Sequence, residues 1–147
     1  MIQITTFIKV GNELVSIEKV NDRDIDTRRI EGSIELKINN ETIIEKNLWD
    51  DVDDLWTYLT NGLADLQEKG FFKTKYPDQP IKISFERKQN QVEVCLEWIT
   101  KKRGTTSYSQ FVRAIRGAAL LFFNRIKVID QHRDFCLDNI QYLEKIK

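Results

Sequence analysis

Asn47-LWDDVDDLWTYLTNGLADLQEK-Gly70 is the stretch whose reading decides the fold. Leu48, Val52, Leu55, Trp56, Leu59, Leu63 and Leu66 recur at steps of three, four and seven, which gathers them on one side of a helix. Trp49 lies at the edge of that side, and Asp50, Asp53, Asp54, Asn61, Asp65 and Glu68 fall opposite. The pattern predicts an amphipathic helix over 47–70. Asn47 is placed to cap it, since a side-chain carbonyl there can accept a free amide of the first turn. Asp50 and Asp51 stand near the positive end of the helix dipole. Gly70 is suited to the left-handed conformation that ends helices. Gly62, the weak helix former inside, marks a close approach by a strand.

The flanks read as strands. Residues 2–10, IQITTFIKV, alternate with Ile2, Ile4, Ile8 and Val10 on one side. Gly11-Asn12 is a hairpin signal, and 14–20 forms the return strand. After a polar loop, Ile30, Ile34, Leu36 and Ile38 share a face, with Gly32 a bulge or close packing point. Asn39-Asn40 turns the chain into a short strand at 42–45. The first 46 residues thus predict a four-stranded antiparallel meander. Beyond Gly70, Phe71 and Phe72 are expected to fold back on the helix end, and KTKYPDQP (73–80), with both prolines, reads as a loop. Ile81, Ile83 and Phe85, then Val92, Val94, Leu96 and Trp98, make a hairpin turning at 88–91; Glu93, Cys95 and Glu97 share its wetter face. Residues 101–106 read as a loop. Ser107 or Ser109 caps a further helix with the stripe Phe111, Ile115, Ala118, Ala119, Phe122, Ile126 and Ile129. Leu120, Leu121, Phe123 and Val128 lie off that stripe, so its second side needs cover from a C-terminal helix (about 134–145) or from another subunit. No Gly or Pro separates these two helices, which leaves one long bent helix as an alternative.

The fold class is therefore α+β: an N-terminal four-stranded meander and a later hairpin, packed against helix 47–70 and a C-terminal helical pair, all in one domain, 1–147. A chain of 147 residues with 41% hydrophobic and 31% charged residues is long enough to bury its own core. No apolar run approaches bilayer length, the N-terminus lacks the pattern of a signal peptide, and two cysteines make no disulfide framework. A cytoplasmic protein without a membrane partner is expected.

The net charge is zero but unevenly spread: residues 1–70 carry 8 basic against 15 acidic side chains, residues 71–147 carry 15 against 8. Either the halves interleave and neutralise one another, or an acidic surface at Glu41, Glu45, Asp50, Asp51, Asp53 and Asp54 steers a basic partner. The basic stretch 101–133 holds Lys101, Lys102, Arg103, Arg113, Arg116, Arg125, Lys127 and Arg133. With Thr105, Thr106 and Tyr108 it is the one candidate for phosphate contact, although a pI near 6.6 and the absence of a nucleic-acid motif count against that partner.

Catalytic signals are missing. His132, the only histidine, stands four residues before Cys136; two ligands do not close a zinc site, and a core cysteine beside a surface histidine explains the pair. Asp22, Asp24 and Asp26 alternate as in a calcium loop, but Thr27 and Ser33 occupy the positions where that loop needs Gly and Glu. Asp50, Asp51, Asp53 and Asp54 offer paired carboxylates for metal or acid–base work, or simply complement the helix dipole. Trp49, Trp56 and Trp98 fit either a ligand pocket between helix 47–70 and the sheet or plain core. No glycine-rich phosphate loop, cofactor motif or catalytic residue is identified.

The order of strand meander, acidic-capped helix beginning LWDDVDDLW, hairpin after YPDQP and terminal helices resembles the small cytoplasmic immunity proteins of bacterial toxin systems. That resemblance implies neutralisation of a toxin by direct binding, often to a basic nuclease domain. It puts forward Glu45, Asp50, Asp51, Asp53 and Asp54 as partner contacts. The expectation is a non-enzymatic protein-binding domain. A small-molecule-binding or enzymatic domain and a nucleic-acid binder through 101–133 are the alternatives, and the C-terminal helices are equally compatible with a homodimer.

Overall fold

The computed structural model describes residues 1–129 and 133–146, with Arg133 described by its backbone. β1 (Ile2–Val10) turns at Gly11, whose φ of 63° suits glycine, into β2 (Glu13–Ser16). A short 3-10 turn (Asp22–Asp24) follows, and β3 (Glu31–Ile38) then returns to the other side of β1, antiparallel from Ile2↔Ile38 to Ile8↔Gly32. Gly32 is required there, because a Cβ would fall on the Phe7 carbonyl oxygen. Asn39 and Asn40, both at positive φ, turn the chain into β4 (Glu41–Ile44). Strand order is β2-β1-β3-β4, and a two-residue strand β5 (Asp50–Asp51) pairs with the Glu31 end of β3.

Helix α1 runs Val52–Lys69, so it starts five residues later than the periodicity suggests. The reason is a competing use for the backbone. Asp50 and Asp51 pair with Gly32 and Glu31, and the Val52 amide donates to the Ile30 carbonyl at 3.0 Å. The preceding segment is held as sheet, Asp51 becomes the N-cap without a capping side-chain bond, and Asn47 caps nothing. Leu48 is still buried, from a turn rather than from a helix face. The rest of the helix is as its spacing dictates: Val52, Leu55, Trp56, Leu59, Leu63 and Leu66 are all buried, each contributing about 2 kcal/mol of transfer free energy. Gly70 ends the helix at φ 75°, and the Phe72 ring packs directly on Gly62, where a Cβ would meet it at 2.6 Å. The Trp56 indole donates from Nε1 to Thr6 Oγ1 at 3.1 Å, which ties α1 to β1.

A second antiparallel sheet follows in simple chain order: β6 (Phe71–Lys75), β7 (Lys82–Lys88), β8 (Gln91–Glu97) and β9 (Lys101–Ser107). The β7–β8 hairpin is the expected one. Both outer strands lie where loops are expected, at 73–75 and at 101–106. In FFKTK the inward positions hold Phe72 and Thr74, and in KKRGTTS they hold Lys102, Gly104 and Thr106, so Phe72 is the one large apolar side chain they turn to the core. Gly104 lets β9 lie against the Ile38 and Ile43 side chains of the first sheet; a Cβ would meet Ile43 Cδ1 at 2.9 Å.

Two helices complete the fold. α2 (Tyr108–Ile126) is capped by Ser107, whose Oγ accepts from the Gln110 amide at 3.2 Å. It crosses β1 and packs on α1 and α3. α3 (Arg133–Glu144) covers the second side of α2, where the Phe123 and Phe135 rings meet edge to face at 5.8 Å. Leu121 and Val128 remain exposed. No helix among the described residues is long and apolar enough to cross a membrane.

Candidate functional site

The carboxylates proposed as partner contacts do not form one uniform patch. Asp50 is 3% exposed. Its Oδ1 accepts from the Asp51 amide at 2.7 Å and the Asp78 amide at 3.1 Å, and its Oδ2 accepts from the Gln79 amide at 2.9 Å. The negative charge of Asp50 thus fastens the 77–80 turn to β5. This contact makes Asp78, which the sequence offers only as part of a proline-flanked loop, a member of the site.

Asp51 and Asp78 stand beside it. Donor oxygens of Asp50, Asp51 and Asp78 all lie within 4.8 Å of one another. Three carboxylates that close suit a divalent cation in principle, but here Arg29 supplies the countercharge. Its Nε donates to Asp51 Oδ1 at 2.8 Å and its Nη2 to Asp78 Oδ2 at 2.8 Å, with Glu31 Oε2 at 3.7 Å. Asp54 is exposed on the first turn of α1. Its carboxyl is held above the usual carboxylate range, first by partial burial and then by the charges of Asp51, Asp50 and Asp78. Asp53 is half-buried on the same turn. Among the described residues, Asp50, Asp51, Asp54 and Asp78 thus form an acidic corner in which Arg29 contacts Asp51 and Asp78.

Glu45 belongs elsewhere. Its Oε1 accepts from Lys102 Nζ at 2.6 Å, joining the end of β4 to β9. This pair borders a cavity of about 220 Å³ lined by Leu48, Leu96, Trp98, Ile99 and Thr100. Trp98 is 48% and Ile99 80% exposed at the β8–β9 turn. Of the other tryptophans, Trp56 is wholly buried and fills core between α1 and the first sheet, and Trp49 has Lys9 Nζ 4.6 Å from its ring centroid.

Among the described residues of the basic stretch, Lys101, Lys102, Arg116 and Arg125 are committed to the fold. Lys101 pairs with Glu97 at 3.6 Å, Lys102 with Glu45, and Arg125 with Asp22 while donating to the Val20 carbonyl; Arg116 donates to the Leu143 carbonyl at 2.9 Å. Arg103 and Arg113 are exposed. Two of these contacts, Lys102–Glu45 and Arg125–Asp22, neutralise charge between the acidic and basic halves of the sequence. The Asp22, Asp24 and Asp26 loop is likewise engaged: Asp26 accepts from the Arg28 amide and guanidinium, and that bonding holds its carboxyl below the usual range.

His132 lies outside the described residues. Cys136 is buried, and burial together with the Asp53 charge pushes its thiol up to about 11, so it is a protonated core side chain at neutral pH. No protein-family model matches the chain, and no curated protein and no solved structure is significantly similar to it.

Proposed function

We propose that the chain is a non-enzymatic, cytoplasmic protein-binding domain of the immunity type, which takes a basic partner at the acidic corner of Asp51, Asp54 and Asp78. The observation that carries this reading is the surplus of carboxylate there. Partial burial and then the charges of Asp51, Asp50 and Asp78 raise the pKa of the Asp54 carboxyl, and among the described residues Arg29 compensates this cluster through contacts to Asp51 and Asp78. A guanidinium or ammonium from a partner relieves that repulsion by the chemistry Arg29 already uses. Asp50 serves as the scaffold of this surface, and Glu45 lies beyond it.

The test is a pull-down from the native host with wild-type protein and with an Asp54→Lys/Asp78→Lys variant of unchanged melting temperature. The reading expects one stoichiometric basic protein that leaves at high salt and is lost from the variant. Equal capture by both proteins overturns it.

A further inference from the structure

The second sheet turns its inner face to the core, and on its outer face Lys73, Lys75, Lys82, Lys101 and Arg103 are exposed around the buried Cys95. Cross-strand register places two rows of side chains on that outer face. One row is Lys75–Lys82–Glu97–Lys101, and the next is Lys73–Ser84–Cys95–Arg103. Residues opposite one another on neighbouring strands share a face, and strands lie about 4.8 Å apart. Five cations therefore occupy a strip about 14 Å wide and two rows deep. Only Glu97 intrudes, and it is paired with Lys101. Lys73, Lys75, Lys82 and Arg103 are all exposed and have no ion pair among the described residues. Glu86 and Glu93 sit together in the following row, with Glu86 taken by Lys88. A face kept charged for solubility intersperses both signs; here, Glu97 apart, the cations gather in two rows and Glu86 and Glu93 in the next.

We infer that this face binds the sugar–phosphate backbone of a single-stranded nucleic acid. The strip gathers Lys75 and Lys82 on adjacent strands, Lys73 two residues along β6, and Arg103 on the far edge, a cluster of positive charge that a phosphate backbone complements. It has no apolar centre of the kind that anchors a protein partner. The exposed ring nearest the strip is Phe71, two residues from Lys73 and opposite Glu86 in the following row, where it can stack on a base whose phosphate lies over the lysines. The near-neutral pI of the whole chain does not decide the charge of these two rows, where five cations stand against Glu97, while Glu86 and Glu93 lie in the following row and Asp50, Asp51 and Asp78 lie at the acidic corner. This surface is separate from the acidic corner, and its failure leaves the proposed protein partner untouched.

Fluorescence anisotropy with short labelled oligouridine and oligothymidine tests the inference, with polyglutamate as the competing polyanion. The expected result is binding whose logarithm falls with log salt at a slope of about −3, as for four phosphate contacts on a single strand. The triple variant Lys73→Glu/Lys82→Glu/Arg103→Glu, its fold checked by circular dichroism, is expected to bind more than about tenfold more weakly. Phe71→Ala is expected to weaken binding while leaving the salt slope unchanged. Preference for oligouridine or for oligothymidine distinguishes RNA from DNA as the source. No binding at low salt, wild-type affinity in the triple variant, or tighter binding to polyglutamate than to either oligonucleotide overturns the inference, the last in favour of an acidic protein.

Discussion

The acidic corner and the basic outer face of the second sheet carry opposite charge in opposite ways. At the corner, charge is built into the fold: Asp50 is buried and grips three backbone amides, and Arg29 bridges Asp51 and Asp78. On the sheet, Lys73, Lys75, Lys82 and Arg103 project from edge and inner strands without an ionic partner among the described residues. The difference separates charge that stabilises from charge that is merely displayed. A residue-by-residue count along the chain treats the two alike. Both surfaces follow from one sequence because the side chains of the corner converge on a turn, whereas the β-pleat spreads those of the sheet at fixed spacing.

This contrast is broken most severely at Asp50. Asp50→Ala leaves the Asp51, Asp78 and Gln79 amides without their acceptor and is expected to destabilise the protein by about 3 kcal/mol. Asp50→Asn, which keeps an acceptor, should cost less. Urea unfolding with an unchanged m-value measures both. The Glu45–Lys102 pair is intermediate, since both side chains are partly exposed. A double-mutant cycle there is expected to return a coupling of about 0.5 kcal/mol.

Asp54 sharpens the contrast through pH. Its folded-state pKa is raised, so the folded state binds its proton more tightly than the unfolded chain does. The associated stability is present below the ordinary carboxylate pKa and is lost as pH rises through the folded value. Asp54→Asn should therefore stabilise the protein at neutral pH by a few tenths of a kcal/mol after screening by solvent, and the gain should vanish in acid. The smallest effect belongs to the sheet. Lys73→Glu or Lys82→Glu should change the unfolding free energy by less than about 0.5 kcal/mol. A large loss there would show that the displayed lysines also hold the fold.

How legible each feature was depends on how local its cause is. The buried face of α1, its Gly70 terminus, the close approach at Gly62 and the β7–β8 hairpin all follow from spacings within a few residues. The start of α1 does not, because Asp50 and Asp51 fit a first helical turn equally well until β3, some 20 residues earlier, claims their backbone. β6 and β9 were hidden for another reason: as outer strands they turn threonine, glycine and a lysine stem inward, and the single buried ring of Phe72 makes no apolar period. With β6 read as a loop, the alignment of Lys73 and Lys75 with Lys82 and Arg103 has no signal at all. Asp78 joins the acidic corner only through contacts 28 residues distant to Asp50 and 49 residues distant to Arg29. The candidate aspartates were visible as a charge run, but which would be buried, bridged or exposed was decided by these distant partners.

The most direct test of the proposed docking at the acidic corner is a ¹H–¹⁵N chemical-shift titration with an arginine-rich peptide. The account predicts saturable, salt-sensitive shifts at the amides of Asp51, Asp54 and Asp78, with Lys73, Lys82 and Arg103 unmoved. Shifts absent from that corner, or spread evenly over the molecule, would contradict it.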